Sequence, residues 1–303
     1  MIPALVVGCG AIGSEYDDRR PPGAAPRSHA GAYTASSRTE LVGGVDVDPG
    51  VRRRFSERWG VPCHASLEQA WQDAPPQVVS VSTPSEGRVE IVAELLQRGV
   101  RAIWIEKPLA ESVASAEVIV AACESAGVPL QLNFLRRFDR LHQRVADLVG
   151  GRVLHADFRF SGTLENYGSH AIDLFRWFVG EPAEVTRHGH LVQVATVDGR
   201  RGTFTQVAAI PTRFFDCDLW LADCRVTLTA LGEQLTVARP AESPLFPDLL
   251  RWEYGSPDPE VGLEGAMAAA LDSLLDHLES GTALRCVGAD GIAELRVREA
   301  VAS

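Results

Sequence analysis

The chain has 303 residues, which suits two domains with a core each, and its 46% hydrophobic and 23% charged residues are ordinary for a globular protein. Its formal charge of −11, from 29 basic and 40 acidic residues, disfavours a binding surface for nucleic acid or for an anionic membrane. Apolar runs are too short for a membrane span, and the N-terminus lacks the basic start of a signal peptide, so a cytoplasmic location is expected.

Residues 1–130 alternate short apolar runs with segments of helical spacing. The helical segments are 51–59, 85–98 and 112–126, with a further helix resumed at "SHAGAYTAS". Buried strands are predicted at 2–8, 40–46, 78–82, 101–106 and 128–133. This alternation predicts an α/β domain with a doubly wound parallel sheet and helices on both faces.

A glycine loop follows the first predicted strand. "VVGCGAIGSE" places Gly8, Gly10 and Gly13 in G-x-G-x-x-G spacing. The first glycine permits a tight turn, the second lets a pyrophosphate approach the backbone, and the third allows close helix–strand packing. In this context the pattern favours a dinucleotide, held by Gly8, Gly10, Ala11, Ile12 and Gly13.

Asp46 ends the second predicted strand, where a carboxylate accepts the ribose hydroxyls of NAD and repels a 2′-phosphate. A polar, Pro-rich insertion at 15–27 accounts for its long separation from the loop. Because Val47 follows instead of an arginine, NAD is favoured over NADP. Two alternatives stay open: Asp46 only ends a strand ahead of a helix, or arginines of the insertion contact phosphate. Those arginines are Arg19, Arg20 and Arg27.

Lys107, in "WIEKPLAES", follows the fourth predicted strand. It therefore lies at the carboxyl edge of the sheet, where open α/β folds bind ligands. A lysine beside an apolar wall or another cation has a lowered pKa and can accept a substrate proton. A solvated lysine is the alternative.

Residues 131–303 form a second predicted domain with a different pattern. A helix at 136–149 and the segment "RVLHADFRF" lead to the helix of "GSHAIDLFRWFVGEP". Period-two segments then occupy 183–195, 202–210, 213–221, 224–230 and 233–239. They predict an antiparallel sheet with one buried face. Pro- and Gly-rich connections at 240–262 precede helices at 263–279 and 288–301. Covering such an open sheet favours a homodimer or homotetramer.

His170 stands in the first turn of the "GSHAIDLFRWFVGEP" helix, with Asp173 one turn later. The helix dipole disfavours the imidazolium form, and Asp173 could orient the ring, so a neutral imidazole suited to acid/base work is expected. The alternative is an ordinary histidine near a helix cap. Arg136 and Arg137 could meet a substrate anion or lie on an exposed helix face, and Tyr167 is a possible substrate contact.

The six cysteines are scattered without a C-x-x-C pair, and His64 beside Cys63 has no partner at ligand spacing. No metal site is predicted, and the cysteines are interpreted as small core residues.

Together, the glycine loop, "STP" (82–84), "EKPLA" (106–110), "NFLRRFD" (133–139) and "GSHAIDLFRWFVGEP" (168–182) resemble the glucose–fructose oxidoreductase / inositol dehydrogenase / MocA family. The resemblance implies a Rossmann domain followed by an α/β domain with a large, open, mostly antiparallel sheet. It implies NAD(P)-dependent oxidation or reduction of a carbon in a sugar, cyclitol or nucleotide-sugar, with Lys107 and His170 at the hydride-transfer site. Cofactor contacts are implied for Ser82, Thr83, Pro84, Glu106 and Lys107.

Asn166 departs from the pattern of that family, in which many members carry an aspartate four residues before the histidine. An amide does not exchange a proton in the catalytic range but can hydrogen-bond a substrate hydroxyl. Proton transfer would then depend on Lys107 or His170, while Arg136, Asn166, Tyr167 and Asp173 would contact the substrate.

Three functions remain open at this point. The leading one is a dehydrogenase or ketoreductase in which Lys107 exchanges the hydroxyl proton. The second is a lyase or glycosidase that uses NAD for a transient oxidation. The third is a ligand-sensing or scaffold protein that kept the fold and lost the chemistry, for which Asn166 is the argument.

Overall fold

The computed structural model describes residues 1–21 and 23–302. The chain forms two compact units. Unit 1 comprises Met1–Phe138 and Gly265–Ala293, and unit 2 comprises Asp139–Glu264 and the chain from Glu294 onward. Within the described residues, no helix combines the length and the apolar character needed to cross a lipid bilayer.

Unit 1 is built on a parallel sheet of six strands. Along the chain they are β1 (Ile2–Val7), β2 (Thr39–Val45), β3 (Cys63–His64), β4 (Val78–Val81), β5 (Ala102–Ile105) and β6 (Leu130–Leu132). Their spatial order is β3-β2-β1-β4-β5-β6, in which the strand order reverses between β1 and β4. This is the order of dinucleotide-binding Rossmann sheets, which bind their ligand at that switch point. The predicted parallel sheet is confirmed.

Four helices of unit 1 begin at a serine or aspartate N-cap. Ser28, Asp48, Ser66 and Ser112 each accept a backbone N–H of the helix that follows, as N-cap residues do. The helices are α1 (His29–Ala35), α2 (Pro49–Trp59), α3 (Leu67–Asp73), α4 (Arg88–Gln97), α5 (Val113–Ala126) and, much later in the chain, α8 (Ala266–Ser280).

Unit 2 contains a mixed sheet of eight strands. They are β7 (His155–Phe160), β8 (Glu184–His188), β9 (Leu191–Ala195), β10 (Arg201–Gln206), β11 (Phe215–Trp220), β12 (Arg225–Thr229), β13 (Gln234–Glu242) and β14 (Leu250–Tyr254). Their order is β14-β13-β12-β11-β7-β10-β9-β8, with β7 and β10 parallel and the other neighbouring pairs antiparallel. The predicted large and mostly antiparallel sheet is confirmed.

The two faces of this sheet differ in chemistry. On one face Phe158, Phe204 and Phe215 are buried and pack with Phe175 of α7 (Ser169–Phe178). On the other face Asp157 accepts hydrogen bonds from Thr203 at 2.7 Å and from the Trp220 indole at 3.2 Å. The alternating pattern of β11 therefore separates an apolar core from a polar, aromatic outer face. Helix α6 (Arg140–Val149) also belongs to unit 2, and α9 (Gly288–Ala302) begins in unit 1 and continues in unit 2.

The division into units differs from the predicted boundary at residue 130. The sixth strand, the 3-10 turn Leu135–Phe138 and α8 all group with unit 1, and the last of the three boundaries falls inside α9. The contacts explain this, because the Gln131 side chain donates to the carbonyl of Ala270 in α8 at 2.7 Å. Three elements also lie outside the predicted set: β3, α3 and β14.

Candidate functional site

The glycine loop makes a tight turn against the end of β4. Gly8 has φ +86°, and a Cβ there would lie 2.6 Å from the backbone nitrogen of Thr83. A Cβ at Gly13 would lie 2.0 Å from the Gly8 carbonyl oxygen, whereas a Cβ at Gly10 would meet nothing within 4 Å. The first and third glycines therefore permit close packing, and the second leaves open space beside the backbone, as a pyrophosphate site requires.

The helix expected after the loop is short. Backbone hydrogen bonds from Ser14 and Tyr16 form a helical turn, which leads into the 3-10 helix Glu15–Asp17. The insertion then interrupts the chain until α1. Its end is tied down by Asp17, whose carboxylate accepts from the backbone of Arg27 and Ser28, both at 2.9 Å.

Ser82 and Thr83 connect β4 to the glycine loop. The Ser82 hydroxyl donates to the Gly8 carbonyl at 2.7 Å and lies 3.1 Å from the Val7 carbonyl. The Thr83 hydroxyl is buried and has no hydrogen-bond partner among residues 1–21 and 23–302. A buried polar atom without a partner in this position is what a bound ligand would satisfy.

Asp46 follows β2 directly and lies half-buried beside the glycine loop. Its Oδ2 accepts the backbone N–H of Cys9 at 2.8 Å, and its Oδ1 accepts the N–H of Asp48 at 2.9 Å. Asp48, not Asp46, caps α2, with Pro49 in the first turn. Asp46 thus does more than end a strand, because it fixes the second residue of the loop.

Arg52 is a cation of this region that the sequence analysis did not single out. Its guanidinium donates to the carbonyls of Asp46 and Val47, both at 2.9 Å. A positive charge therefore lies beside the position after Asp46, although Val47 itself is apolar. The sequence feature that could have identified Arg52 is its position, one helical turn after the capping Asp48.

The arginines of the insertion have other partners nearby. Arg20 lies 3.9 Å from the Asp17 carboxylate, and the backbone of Arg27 donates to the same group. Arg19 is exposed. Their predicted contact with a phosphate stays a prediction.

Lys107 is half-buried and follows β5, where a cis peptide bond joins it to Pro108. Its backbone N–H donates to Oε2 of the neighbouring Glu106 at 3.2 Å. Glu106 is 7% exposed, and its Oε1 contacts His29 Nε2 at 3.1 Å and accepts from the Asn133 amide. Glu106 is thus the centre of a buried polar cluster with His29 and Asn133, directly next to the lysine.

Burial alone would raise the pKa of Glu106, but hydrogen bonds from His29 and Asn133 and the charges of His29 and Lys107 outweigh it, and the pKa is lowered. Glu106 is therefore a carboxylate at neutral pH. Sequence reasoning found this glutamate only through the family motif, and it missed His29 and Asn133.

Arg88, also missed, ties together the two loops that follow β4 and β5. The residue is 2% exposed, and its guanidinium donates to the main-chain carbonyls of Thr83, Glu106 and Pro108. Burial lowers the pKa of Arg88 to about 10, so the group stays charged at neutral pH. The loop of Thr83 and the loop of Lys107 are held in register by this one side chain.

Arg136 and Arg137 lie in the 3-10 turn Leu135–Phe138, not on an exposed face of α6. Arg136 is 5% exposed. Arg137 forms an ion pair with Asp290 at 3.1 Å. Both side chains are therefore built into unit 1.

In unit 2, α7 is preceded by a π-helical turn, Leu164–Gly168. Thr163 begins it by accepting the backbone N–H of Asn166 at 3.3 Å, and the Ser169 hydroxyl donates to the Asn166 carbonyl at 2.7 Å. Asn166 is exposed, and Tyr167 is half-buried with its ring centroid 6.5 Å from that of Phe215. Such wide turns occur often at functional sites.

His170 is half-buried in the first turn of α7, one turn after Asn166. Because the π-helical turn leads directly into α7, Gly168 at the N-cap has helical angles and makes no side-chain cap. Asp173 is 1% exposed and lies 4.0 Å from Arg176. Its carboxylate therefore faces the interior of unit 2.

Two cations act on the same turn. The pKa of Glu165, which lies on this turn, is held below its usual range. The causes are hydrogen bonds from its own backbone N–H and from the Thr163 hydroxyl, and the charges of Arg298 and Arg187. Neither arginine was predicted, since Arg187 is on β8 and Arg298 is on α9, far away in sequence.

The predicted site residues thus divide between the two units. The glycine loop, Asp46, the 82–84 segment, Glu106, Lys107 and Arg136 belong to unit 1, whereas Asn166, Tyr167, His170 and Asp173 belong to unit 2. Unit 1 fits a dinucleotide: open space at Gly10, a carboxylate at Asp46 and a buried unpartnered hydroxyl at Thr83 surround the switch point of the sheet.

Comparison with known proteins identifies relatives of this arrangement. Residues 2–134 match the model of an oxidoreductase family with an NAD-binding Rossmann fold, GFO_IDH_MocA. Inositol 2-dehydrogenase of Rubrobacter xylanophilus is 26% identical over 198 residues, which are 59% of this chain and 52% of that protein. The chain spans about half the length of the curated relatives it matches.

Solved structures match over the whole chain. UDP-N-acetylglucosamine 3-dehydrogenase GnnA from Acidithiobacillus ferrooxidans has a TM-score of 0.79 at 17% identity, covering 99% of this chain and 97% of that one. The WlbA dehydrogenase from Bordetella pertussis, in complex with NADH and UDP-GlcNAcA, has a TM-score of 0.76 at 18% identity, covering 99% and 95%. At these identities the likeness shows the fold.

Proposed function

We propose that this chain, whose residues 2–134 match the Gfo/Idh/MocA oxidoreductase family model, is an NAD(P)-dependent dehydrogenase or ketoreductase of that family. It transfers hydride between the nicotinamide and a carbon of a sugar, cyclitol or nucleotide-sugar. The observation that carries the proposal is the loop of unit 1, in which Asp46 accepts the N–H of Cys9, between the closely packed Gly8 and the open Gly10. Relatives that bear dehydrogenase names, including a D-apiose dehydrogenase at 27% identity, support it.

In this proposal Gly8, Gly10, Ala11, Ile12 and Gly13 hold the pyrophosphate, and Asp46 holds the ribose. Ser82, Thr83 and Pro84 line the other side of the loop, and the Thr83 hydroxyl gains a partner. The nicotinamide supplies the hydride donor or acceptor when it is bound. Every proton and every orientation has to come from the protein.

Lys107 is the proposed general acid and base, exchanging a proton between its Nζ and the reacting hydroxyl. Glu106 is a positioning residue, since its carboxylate accepts the Lys107 backbone N–H while His29 and Asn133 hold it in place. Arg88 fixes the carbonyls on both sides of the lysine and so limits how far its backbone moves.

His170 and Asn166 of unit 2 are proposed to hydrogen-bond substrate hydroxyls, with Tyr167 as a further contact. The predicted contacts of Arg136 and Asp173 are not proposed again, because both side chains are buried inside their own units. The exposed Asn166 amide can donate and accept but not titrate. The relatives whose names include a nucleotide-sugar support a substrate of that class.

NAD is proposed over NADP because the Asp46 carboxylate would repel a 2′-phosphate. Arg52 argues for NADP, but its guanidinium is engaged by two main-chain carbonyls. Fluorescence titration of the protein with NADH and NADPH compares the two, in wild type and in Asp46→Ala. Asp48→Asn is the matched control, because asparagine keeps the helix cap.

Tight NADH binding that Asp46→Ala weakens or switches to NADPH is the expected result. Sugars, cyclitols and nucleotide-sugars are then screened by the absorbance of NADH, starting with nucleotide-sugars. If neither nucleotide binds, the dehydrogenase proposal is wrong and a sensor or scaffold role takes its place. Product formed without a net change in NADH would indicate a lyase or glycosidase.

A homodimer or homotetramer is also proposed, since the outer face of the eight-stranded sheet carries aromatic side chains. Trp220 and Trp252 meet there with ring centroids 6.3 Å apart, and Tyr254 is 51% exposed. Analytical ultracentrifugation is the measurement, and a monomer at micromolar concentration would contradict the proposal.

A further inference from the structure

Two cysteines of unit 1 are in contact, although 54 positions separate them. Cys9 Sγ lies 3.7 Å from Cys63 Sγ. Cys9 follows β1 and Cys63 is on β3, so strand β2 runs between them in the sheet. The contact exists because Gly44 occupies β2 at this place: a Cβ there would lie 2.6 Å from Cys9 Sγ and 3.0 Å from Cys63 Sγ.

This thiol pair, Cys9 and Cys63, adjoins the proposed nucleotide site. Cys9 stands between Gly8 and Gly10, and its N–H is the donor that Asp46 accepts at 2.8 Å. Movement of Cys9 therefore moves the glycine loop and the proposed ribose-binding carboxylate together. The function proposed above for the nucleotide site does not require a thiol at position 9.

The two thiols differ in access. All six cysteines lie in the described part of the chain, and five are buried, whereas Cys63 is partly exposed. Burial raises the pKa of Cys9, and the hydrogen bond from the Cys9 thiol lowers the pKa of Cys63. The more accessible sulfur is thus the one that ionises first, as in cysteines that react with oxidants.

We propose that the thiol pair is an oxidation site at which a peroxide forms a reversible Cys9–Cys63 disulfide, and that the disulfide weakens dinucleotide binding. The first half concerns the cysteines alone, and the second half rests on the proposed function. Reduction of this disulfide by a small dithiol restores dinucleotide binding at the glycine loop.

The reaction balances with hydrogen peroxide as the oxidant. The Cys63 thiolate attacks one peroxide oxygen, the O–O bond breaks, and hydroxide leaves, which converts Cys63 to a sulfenic acid. The Cys9 sulfur then attacks Cys63 Sγ, the S–O bond breaks, and the thiol proton and hydroxide leave as water. Two thiols lose two electrons, and the peroxide is reduced to two molecules of water.

Bond formation has a geometric consequence for the loop. A disulfide needs sulfurs about 2.05 Å apart, so the Cys9 and Cys63 side chains must approach each other by roughly 1.7 Å. Cys9 Sγ lies 3.6 Å from the carbonyls of Val6 and Val45, and it leaves these neighbours as it moves toward β3. The Cys9 N–H shifts relative to Asp46, and a perturbed charge-assisted hydrogen bond predicts a Kd for NADH about tenfold higher.

The experiment uses the full chain in three states: reduced, treated with hydrogen peroxide and desalted, and reduced again with dithiothreitol. Peptide mapping by mass spectrometry tests for a linked Cys9–Cys63 peptide, and NADH fluorescence titration gives Kd in each state. Cys63→Ser removes the accessible sulfur without substituting a residue of the glycine loop, and Cys63→Ala repeats the test without a hydroxyl. Cys123→Ser, a buried cysteine of the same unit, is the matched control.

The expected result is a linked peptide and a reversible rise in Kd of about tenfold in wild type and Cys123→Ser, with neither change in the Cys63 variants. The proposal is overturned if no linked peptide forms, if the linked protein binds NADH as before, or if the Cys63 variants lose binding equally on oxidation. If reduced wild type binds no NADH, the proposed function and the effect on binding fail together, while the peptide map still decides whether the pair oxidises.

Discussion

The two units hold their candidate residues in different ways. In unit 1, Lys107 and the glycine loop lie in segments fixed by buried polar groups: Glu106 is 7% exposed, Arg88 is 2% exposed, and Ser82 bonds the Gly8 carbonyl. In unit 2, Asn166 is exposed on a wide turn, and the charges near it, Glu165 and Arg187, are exposed as well. Segments held by buried polar groups, as in unit 1, suit a ligand that many enzymes share. An exposed turn, as in unit 2, suits a ligand that differs between enzymes.

The largest expected effect tests whether unit 1 supplies the chemistry. Lys107→Ala should lower kcat by about 10²–10⁴-fold, the usual contribution of a general acid or base, while the Kd for NADH changes little. Steady-state rates with the substrate found by screening, together with NADH titration, are the measurements. A variant with wild-type kcat would assign the proton transfer elsewhere, and a combined Lys107→Ala, His170→Ala variant shows whether the two losses add.

The second largest effect is expected when the Glu106 carboxylate is removed from its buried cluster with His29 and Asn133. Glu106→Ala leaves His29 and Asn133 without their shared acceptor, which should lower the free energy of unfolding by about 3 kcal/mol. Urea denaturation measures this, with the exposed Glu57→Ala as control. A loss no greater than that of the control would mean that unit 1 is not held by this cluster.

A smaller effect concerns a buried carboxylate in the frame of unit 2. Burial would raise the pKa of Asp139, but the His142 side chain and the N–H groups of Leu263 and His142 outweigh this and lower it. A lowered folded pKa stabilises the protein above the unfolded value near 4, and this stabilisation is lost as pH falls through the folded pKa. Asp139→Asn should therefore cost about 1 kcal/mol at pH 7, and the difference from wild type should shrink as pH falls below about 4 toward the lowered folded pKa.

Thermal unfolding between pH 3 and pH 8 compares the Asp139 variant with Asp147→Asn, an exposed carboxylate on the same helix. Parallel curves at every pH would show that the charge of Asp139 adds nothing to stability.

The smallest effect is expected at the π-helical turn Leu164–Gly168. Asn166→Ala should change the free energy of unfolding by less than about 0.5 kcal/mol, since its side chain is exposed. Thr163→Ala, which removes the acceptor of the Asn166 N–H, should cost about 1 kcal/mol. If the Asn166 variant loses as much stability as Glu106→Ala, the contrast between the two units is wrong.

Local patterns were enough to predict most elements of this fold. The buried strands of unit 1 are continuous apolar runs, and serine or aspartate caps mark the starts of α1, α2 and α5. Where the signal was short or contradictory, prediction failed: β3 has two residues, and β14 lies in a segment rich in proline. Pairing with a neighbouring strand, which no local pattern reports, forms both.

The site shows the same limit. Spacing identified Gly8, Gly13 and Asp46, because one turn and one strand end bring them together. His29 and Asn133 reach Glu106 from 77 and 27 residues away, and the two cysteines meet over a glycine of a third strand. Such contacts depend on which strands are neighbours in the sheet, and local sequence patterns do not report that order.

The return of the chain to unit 1 has a consequence for how the protein is made. Its α8 helix packs on β5 and the 3-10 turn, and Gln131 donates to Ala270, so unit 1 lacks part of its packing until residue 293 is synthesised. On a ribosome the nascent nucleotide-binding sheet therefore waits, partly uncovered, while the whole of Asp139–Glu264 emerges. Synthesis of α8, rather than completion of Met1–Phe138, is therefore the step after which that sheet can acquire its last helix.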